Sequence, residues 1–417
     1  MKILIIGTNT IADLLTQRLL SEHNVECVYH YGAHVSRVPT DRFKPQSMSA
    51  GVSPLLQFLA SAEGSNIDLI VPTTLYFQLR PGLFNAARAN NIPILTPTAG
   101  QANIEWSKIT GKRLLNHLNI PTAAHSVMTH KAFFDSYYDI KRPFVVKYEK
   151  DWRSGLQTVV VTDNNYQEEY NNLVNAAPRT FLADRIVPTD LTFIVEDYID
   201  GAREYSWHAI CNDTGMTFLG AARDYKKRYE NDIGHNTASM GSYSPVPDID
   251  QKIEVYANRI VQYFKDRGTP FKGILYLGIM ISASGEPYVL EINTRFGSPE
   301  TESILQTIDN NIADLLYSIA ANKQLPAITV NDKVGVSLRV VNKQYVEKQD
   351  ASTLTFPQLW PLVDGIQYSM CADSTLLHSV ITVADTSIDA ASDKLYKFLK
   401  DKPMGDFTYR TDIGYCK

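Results

Sequence analysis

Two oxygen-bearing side chains, spaced two residues apart on an apolar run, are the first feature of this chain that could do chemistry. In Tyr288-Val289-Leu290-Glu291-Ile292-Asn293-Thr294-Arg295-Phe296-Gly297 a strand would carry Glu291 and Asn293 on one face, with Val289, Leu290 and Ile292 interleaved as buried positions. Such a pair suits Mg2+ (or Mn2+), which takes few protein oxygens and leaves its other positions to phosphate and water. Arg295 stays in phase if the strand continues, and can offset phosphate charge as it shifts during transfer. Lys147 ends the apolar run Phe144-Val145-Val146-Lys147, where an ammonium is costly without an anionic partner such as a nucleotide phosphate. Lys108 lies near the start of a helix, and a solvated helix face competes with a phosphate role there.

Two further stretches are weaker on spacing alone. Ile194 to Glu204 is a strand turning into a hinge, of the kind whose backbone reads an adenine while a carboxylate holds the ribose; Glu196 and Glu204 are placed for this. Asp224 to Pro245 is a long polar loop dotted with glycine, and loops of that length inside compact domains are functional or disordered. His235 within it reads as a loop hydrogen-bonder. No Ser–His–Asp or Cys–His pattern is legible, so covalent nucleophilic catalysis has no support.

The elements that must position these groups follow from periodicity. Lys2 to Gly7 is a buried strand closed by glycine, and Ile11, Leu14, Leu15, Leu19 and Leu20 recur at helical spacing. A strand, a short loop and a helix open a βαβ-type domain, with parallel strands expected at 68–71 and 92–95 and a helix at 83–89. A helix is expected over 103–118, a hairpin from 144–147 and 156–161, strands at 193–198 and 204–210, and helices at 249–266 and 304–319. The reading is an α/β and α+β multidomain chain: residues 1–100 an open α/β domain, 101–195 a linker helix and small subdomain, 196–325 a central subdomain, and 326–417 a C-terminal α+β domain.

At 417 residues the chain can bury several cores, and 44% hydrophobic with 20% charged residues is globular composition. A net charge of −5 gives no broad cationic field, so nucleic acid is not an expected partner. The four cysteines, Cys27, Cys211, Cys371 and Cys416, form no CxxC pair and suit neither zinc nor a disulfide framework. The opening MKILIIG is too short for a signal peptide, and no apolar run approaches the roughly 18 residues of a membrane span. A cytoplasmic protein, monomeric or homodimeric, is expected.

In matching order over most of its length the sequence resembles the phosphoribosylamine–glycine ligase family, ATP-grasp enzymes of purine synthesis. The resemblance is carried by Thr96-Pro97-Thr98-Ala99-Gly100, Ser107-Lys108, Phe144 to Lys147, Glu196-Asp197-Tyr198-Ile199-Asp200-Gly201 with Glu204, Asp224-Tyr225-Lys226, Met240 to Pro245, Glu291-Ile292-Asn293, Arg295-Phe296-Gly297, Pro299-Glu300-Thr301 and the closing Tyr409 to Gly414. It implies an ATP-grasp fold with an N-terminal pre-ATP-grasp domain and a small C-terminal domain. It implies ATP held by Lys108, Lys147, Glu196, Asp197, Tyr198, Ile199 and Glu204, a metal on Glu291 and Asn293, and catalytic roles for Arg295 and Lys226. The activity implied is ADP-forming ligation of a small-molecule carboxylate, glycine or another amino acid, to an amine through an acyl phosphate.

Departures gather on the acceptor side. The family's Gly-Gly-Arg-Glu-His-type loop is here Gly7-Thr8-Asn9-Thr10-Ile11-Ala12-Asp13, without arginine and with Asp13 adding negative charge. Asn236-Thr237-Ala238-Ser239-Met240-Gly241 replaces Asn-Thr-Gly-Gly-Met-Gly, and Ser298 replaces the aspartate of Gly-Asp-Pro-Glu; Asn236, Thr237, Ser239, Met240 and Ser298 are the candidate substrate contacts. The phosphate flap, Asp151 to Leu156, is poor in glycine, so Arg153 or Ser154 would take over its phosphate contacts. Two alternatives stay open at this point: a paralogue joining an amino acid to a different amine, and a nucleotide-binding sensor without turnover.

Overall fold

The computed structural model describes residues 1–32, 41–46, 52–149, 158–182, 192–247, 249, 251–343, 364–371 and 378–415. Lys2–Ile6 is apolar on both faces after its first residue, as a strand covered on both sides must be. It sits inside a parallel sheet ordered Phe43–Gln46, Cys27–Tyr31, Lys2–Ile6, Leu69–Pro72. The stretch at 92–95 adds only a bridge between Ile70 and Ile94. After the first strand the chain passes so close to its neighbour that a Cβ on Gly7 would lie 2.0 Å from Thr73 Oγ1. Asn9 then caps the Thr10–Ser21 helix, its side-chain oxygen accepting from the Ala12 amide at 3.1 Å.

The helix expected over 103–118 is two helices, Ala99–Trp106 and Lys108–His117. Ser107 ends the first and caps the second, accepting from the Thr110 amide at 3.2 Å. The run at 304–319 likewise divides into Glu300–Ile304 and Ile312–Ala320, because Asn311 caps the latter through the Asp314 amide at 2.9 Å. In both places a side chain that competes for backbone amides breaks an apolar period that looked continuous.

A four-stranded antiparallel sheet runs His125–Thr129, Thr192–Asp197, Phe144–Tyr148, Thr158–Val161. The large antiparallel sheet runs Pro287–Asn293, Gly273–Ser282, Gly201–Asn212, Gly215–Asp224, Gly241–Ser244, Val334–Asn342, His378–Asp385, Ile366–Met370. The four-residue strand Gly241–Ser244 pairs on one side with Gly215–Asp224 and on the other with Val334–Asn342, so the C-terminal strands continue the central sheet. One core joins the first helix to the centre of the molecule, with Ile11, Leu14 and Leu15 in the same cluster as Phe296, Ile304, Leu305 and Leu316. A second core packs Ile253, Tyr256, Ile260 and Phe264 with Leu275, Leu277 and Ile292 of the large sheet. Among the described residues no helix is long and apolar enough to cross a membrane.

The C-terminal turn clasps the polar loop that follows Asp224. Arg410, 1% exposed, donates from Nε and Nη2 to Asp412 at 2.8 and 2.7 Å, and from Nη1 to Asp232 at 2.8 Å and the Lys227 carbonyl at 2.9 Å. Its guanidinium lies 5.3 Å from the centre of the Tyr225 ring. Replacing it leaves a buried carbonyl and two carboxylates without their donor, and those carboxylates are partly exposed, which limits the cost. Arg410→Met is expected to destabilise the protein by about 2 kcal/mol, read as a melting temperature several degrees lower by circular dichroism. An unchanged melting curve would mean the clasp contributes nothing.

Candidate active site

Glu291 and Asn293 lie on Pro287–Asn293 opposite Gly278 and Tyr276, and the Asn293 amide donates to Glu291 Oε1 at 3.0 Å. That leaves the Asn293 carbonyl oxygen and the rest of the carboxylate as the acceptors offered to a cation. Pairing shifts from Gly278–Glu291 to Ile279–Val289, so Leu290 is the extra residue of a bulge. Its carbonyl accepts from Lys147 Nζ at 3.4 Å. Burial alone would raise the Glu291 carboxyl, but the charges of Lys226, Lys108 and Lys147 and the Asn293 hydrogen bond prevail and hold it at about 2. It is ionised at any physiological pH.

Beneath this pair lies a triad of buried charges. Phe144–Tyr148 and Thr192–Asp197 pair with Val145 opposite Glu196 and Lys147 opposite Ile194, which puts Lys147 and Glu196 on one face. Glu196, 2% exposed, meets Lys147 at 2.9 Å and Lys112 at 3.0 Å, one lysine on each oxygen. Lys112 also donates to Thr122 Oγ1 at 2.6 Å, and that hydroxyl donates to the Val289 carbonyl at 2.7 Å. Burial works against Glu196's charge, yet the two lysines hold it below the usual carboxylate range. Burial also works against Lys147, but Glu196, Glu291 and Glu204 keep it above the ordinary lysine value. Lys112 is the member that yields: burial and the like charge of Lys147 draw it down to about 8 despite Glu196.

Lys108 and Lys112 are four apart on the same helix and so share a face. The helix start is fixed by Glu149, whose side chain accepts from Ser107 Oγ at 3.1 Å and whose carbonyl accepts from the Lys108 amide at 2.8 Å. Arg295 Nε contacts Glu105 at 2.8 Å, while the other oxygen of Glu105 accepts from the Thr294 amide at 2.6 Å and hydroxyl at 3.0 Å. One cavity is lined by Glu105, Lys108, Lys112, Lys147, Glu196, Glu291, Asn293 and Arg295, with Ile104, Leu115 and Ile292 as its apolar wall.

A second polar group adjoins it across the sheet. Lys226 makes an ion pair with Asp224 and lies 4.0 Å from Glu204, which pairs in register with Asp224. Burial, with Asp224 and Glu291 as like charges, pushes the Glu204 carboxyl up to about 7 against Lys226 and Lys147. Lys226 stays protonated: burial opposes it, but Asp224, Tyr276, Glu204 and Glu300 outweigh that. Tyr276 donates to Glu300 at 2.9 Å, and its ring lies 4.6 Å from that of His208, which burial holds neutral, at about 3.

The structure thus brings Lys108, Lys147, Glu196, Glu291, Asn293 and Arg295 to one cavity, with Lys226 and Glu204 beside it. Asp197 and Tyr198 are exposed and Ile199 half-buried, on the edge leading to Gly201. Arg153 and Ser154 lie outside the described residues. Thr237 is occupied with the Lys226 carbonyl at 2.8 Å, Ser239 with the Gly241 carbonyl at 3.0 Å, and Met240 is fully buried. These three brace their own loop, and Asn236 pairs with Lys227 in the short hairpin. Ser298 instead bonds to Thr10, Glu302 and Arg339. Asp13, expected to add charge at the acceptor loop, accepts from the Met370 amide at 2.8 Å and ties the first helix to the C-terminal strands. Sequence reasoning missed Lys112 and Glu105. The i,i+4 spacing from Lys108 could have found Lys112; nothing local marked Glu105.

Residues 106–301 match the family model described as Phosphoribosylglycinamide synthetase, ATP-grasp (A) domain. A phosphoribosylamine–glycine ligase of Streptococcus pyogenes serotype M1 is 29% identical over 359 residues, 81% of each chain. That of Streptococcus pneumoniae is 26% identical over 435 residues, 99% of each. Among solved structures, the phosphoribosylamine–glycine ligase of Thermotoga maritima superposes with a TM-score of 0.74 at 21% identity, covering 99% of this chain and 100% of its own. The biotin carboxylase domain of Hydrogenobacter thermophilus 2-oxoglutarate carboxylase, solved with MgADP, superposes at 0.70 with 13% identity, covering 98% and 91%.

The chain is therefore an ATP-grasp ligase, with the fold and the carbon–nitrogen ligase class that the sequence resemblance implies. Within that class it resembles phosphoribosylamine–glycine ligase.

The buried triad gives a test independent of any substrate. Glu196→Gln leaves two buried ammoniums without their counter-charge, and is expected to destabilise the fold by about 3 kcal/mol. A lysine whose folded value is depressed destabilises as pH falls from its unfolded value of about 10.5 through the folded one. For the native protein the Lys112 loss is complete below about 8. In the variant the folded value drops further, so the loss continues toward neutral pH. Urea unfolding of both proteins between pH 7 and 10 checks this, and parallel stability profiles would contradict it.

Proposed function

We propose that this protein joins glycine to phosphoribosylamine, cleaving ATP to ADP and phosphate, as an enzyme of purine synthesis. The observation that carries the reading is the ionised Glu291 beside Asn293 in a cavity lined by Lys108, Lys112, Lys147 and Arg295. A pair of protein oxygens is too few to enclose a cation alone, and among the described residues no group of three His, Cys, Asp or Glu side chains is placed to do so. Two ligands beside a cationic wall fit a Mg2+ whose remaining positions belong to phosphate oxygens and water. When bound there, the ion would supply charge neutralisation between adjacent phosphates.

The chain's own residues then divide the work. Lys108 and Lys147 offset the phosphates, and backbone groups of Asp197 to Ile199 read the adenine. Glu196 is taken up by its two lysines, so the ribose falls to Glu204, whose half-buried carboxyl faces the same region. A carboxylate oxygen of glycine attacks the γ-phosphorus as the bond to the ADP oxygen breaks, and Arg295, held by Glu105, follows the moving charge. The amine nitrogen then attacks the acyl carbon, phosphate leaves, and the amine's surplus proton passes to a nearby base. Asp224, buried beside Lys226, is the base left for that proton once Glu204 holds the ribose. Positioning and electrostatics lower the barrier, with no covalent enzyme intermediate.

Coupled measurement of ADP release, with ATP, Mg2+, glycine and phosphoribosylamine generated in place from ribose 5-phosphate and ammonia, tests the proposal. ADP formation should require both substrates. Glu291→Ala should lower kcat at least about a thousandfold with the melting temperature retained, whereas Lys147→Ala should chiefly raise the ATP requirement. Glycine-independent ADP release, or near-normal turnover by Glu291→Ala, would remove the assignment.

A further inference from the structure

The small antiparallel sheet meets the rest of the molecule on two sides. One is the cavity wall, where Lys147 Nζ donates to the Leu290 carbonyl at 3.4 Å and Lys112 reaches Glu196 at 3.0 Å. The other is the two-stranded hairpin of Lys227–Tyr229 and Ile233–Asn236, whose second strand packs against the sheet's edge strand Thr158–Val161. There His235 Nδ1 lies 3.4 Å from Glu169 Oε1 of the helix Tyr166–Leu182, which follows that edge strand. Glu169 is 3% exposed, and its second oxygen accepts from Asn172 Nδ2 of its own helix at 3.2 Å. His235 is half-buried.

A nearly buried carboxylate needs a counter-charge. For Glu169 it comes from across an interface, on a side chain that gains and loses its proton near neutral pH. The charged groups facing His235 are Glu169 and Glu168 of the helix and Lys227 of the paired strand. Arg228 donates instead to the Lys343 carbonyl, and Thr158–Val161 carries no titratable side chain. The hydrogen bond to Glu169 lifts the imidazole above the ordinary histidine value against burial; the charges of Glu169 and Glu168 add to this, and Lys227 opposes it. The base of the hairpin is fixed, since Arg410 holds the Lys227 carbonyl and Asp232. The contact at its tip therefore joins a fixed strap to the sheet that carries Lys147 and Glu196. Resting on the nucleotide role of the cavity, we infer that the His235–Glu169 contact is a proton-operated latch, which holds the small sheet against the central one and so sets how fast nucleotide leaves. Because the closed contact raises the His235 value, its stabilisation is complete below the free imidazole value of about 6.5 and is lost as pH rises through the raised one. Alkaline conditions release the latch.

Stopped-flow displacement of a fluorescent ADP analogue by excess ATP, with Mg2+ present, reads that rate. For the native protein the dissociation rate should rise at least about threefold between about pH 5.5 and 8.5. His235→Gln should release the analogue at the native alkaline rate across the whole range. Glu169→Gln should behave alike, and the partly exposed His235 position keeps the test open should the buried Glu169 variant misfold. A native rate flat with pH, or a His235→Gln profile rising in parallel with the native one, would overturn the latch and leave the ligase reading untouched. Absence of analogue binding at every pH would instead remove the nucleotide role of the cavity, and the latch with it.

Discussion

A carboxylate that must stay charged inside the protein sets the terms for the rest of this structure. Glu291 lies where desolvation favours its neutral form, and the summed field of lysines from separate elements, with the Asn293 hydrogen bond, keeps it ionised. Those lysines come from the start of a helix, the end of a strand in the small sheet and the loop after Asp224. None is near another in sequence except Lys108 and Lys112. Each subdomain therefore contributes to one electrostatic balance, and a shift of either sheet would alter the charge state at the centre. Glu196 keeps that balance from overshooting. With it the triad carries one net positive charge; without it two ammoniums would face each other in a wall with little water to screen them.

The same constraint explains features that look unrelated to chemistry. The bulge at Leu290 turns a backbone carbonyl toward Lys147, and Gly278 opposite Glu291 leaves room for that side chain, since a Cβ there would lie 3.0 Å from Glu291 Cγ. Arg410 pins the loop whose first residues place Lys226 beside Asp224. A C-terminal turn far from the cavity thereby helps hold one of the cations on which Glu291 depends.

Much of the nucleotide half was legible in the sequence. Glu291, Asn293 and Lys147 stand on short apolar strands, where a polar residue is conspicuous and period two fixes its face. Lys108 could be singled out only with the family resemblance, since a lysine near a helix start is ordinary on its own. Glu196 was noticed for its place on a strand, yet its partners are set by the register of that strand with its neighbour, which no single-sequence pattern contains. The acceptor half was read through what it lacked, which says nothing of the partners its residues take. Thr237, Ser239 and Met240 fall where the family motif approaches a ligand, but here they satisfy backbone groups of a tight loop, and Ser239 does so at a φ of 82°. Helix ends were misread at 107 and 311 because caps interrupt an apolar rhythm without removing an apolar residue.

The contrast between the two halves has a physical basis. Nucleotide chemistry needs a metal pair and cations at fixed separations, so few substitutions preserve it. An acceptor site needs a charge and a hydroxyl partner in the right volume, and the large sheet offers more than one strand from which to supply them. Because Gly241–Ser244 joins the central strands to the C-terminal ones, Val334–Asn342 passes directly behind the Gly297–Glu302 turn. An arginine on that strand, Arg339, donates to the Ser298 carbonyl at 2.7 Å and so ties the strand to that turn. The sheet that carries Glu291 thereby also braces the turn that holds Ser298.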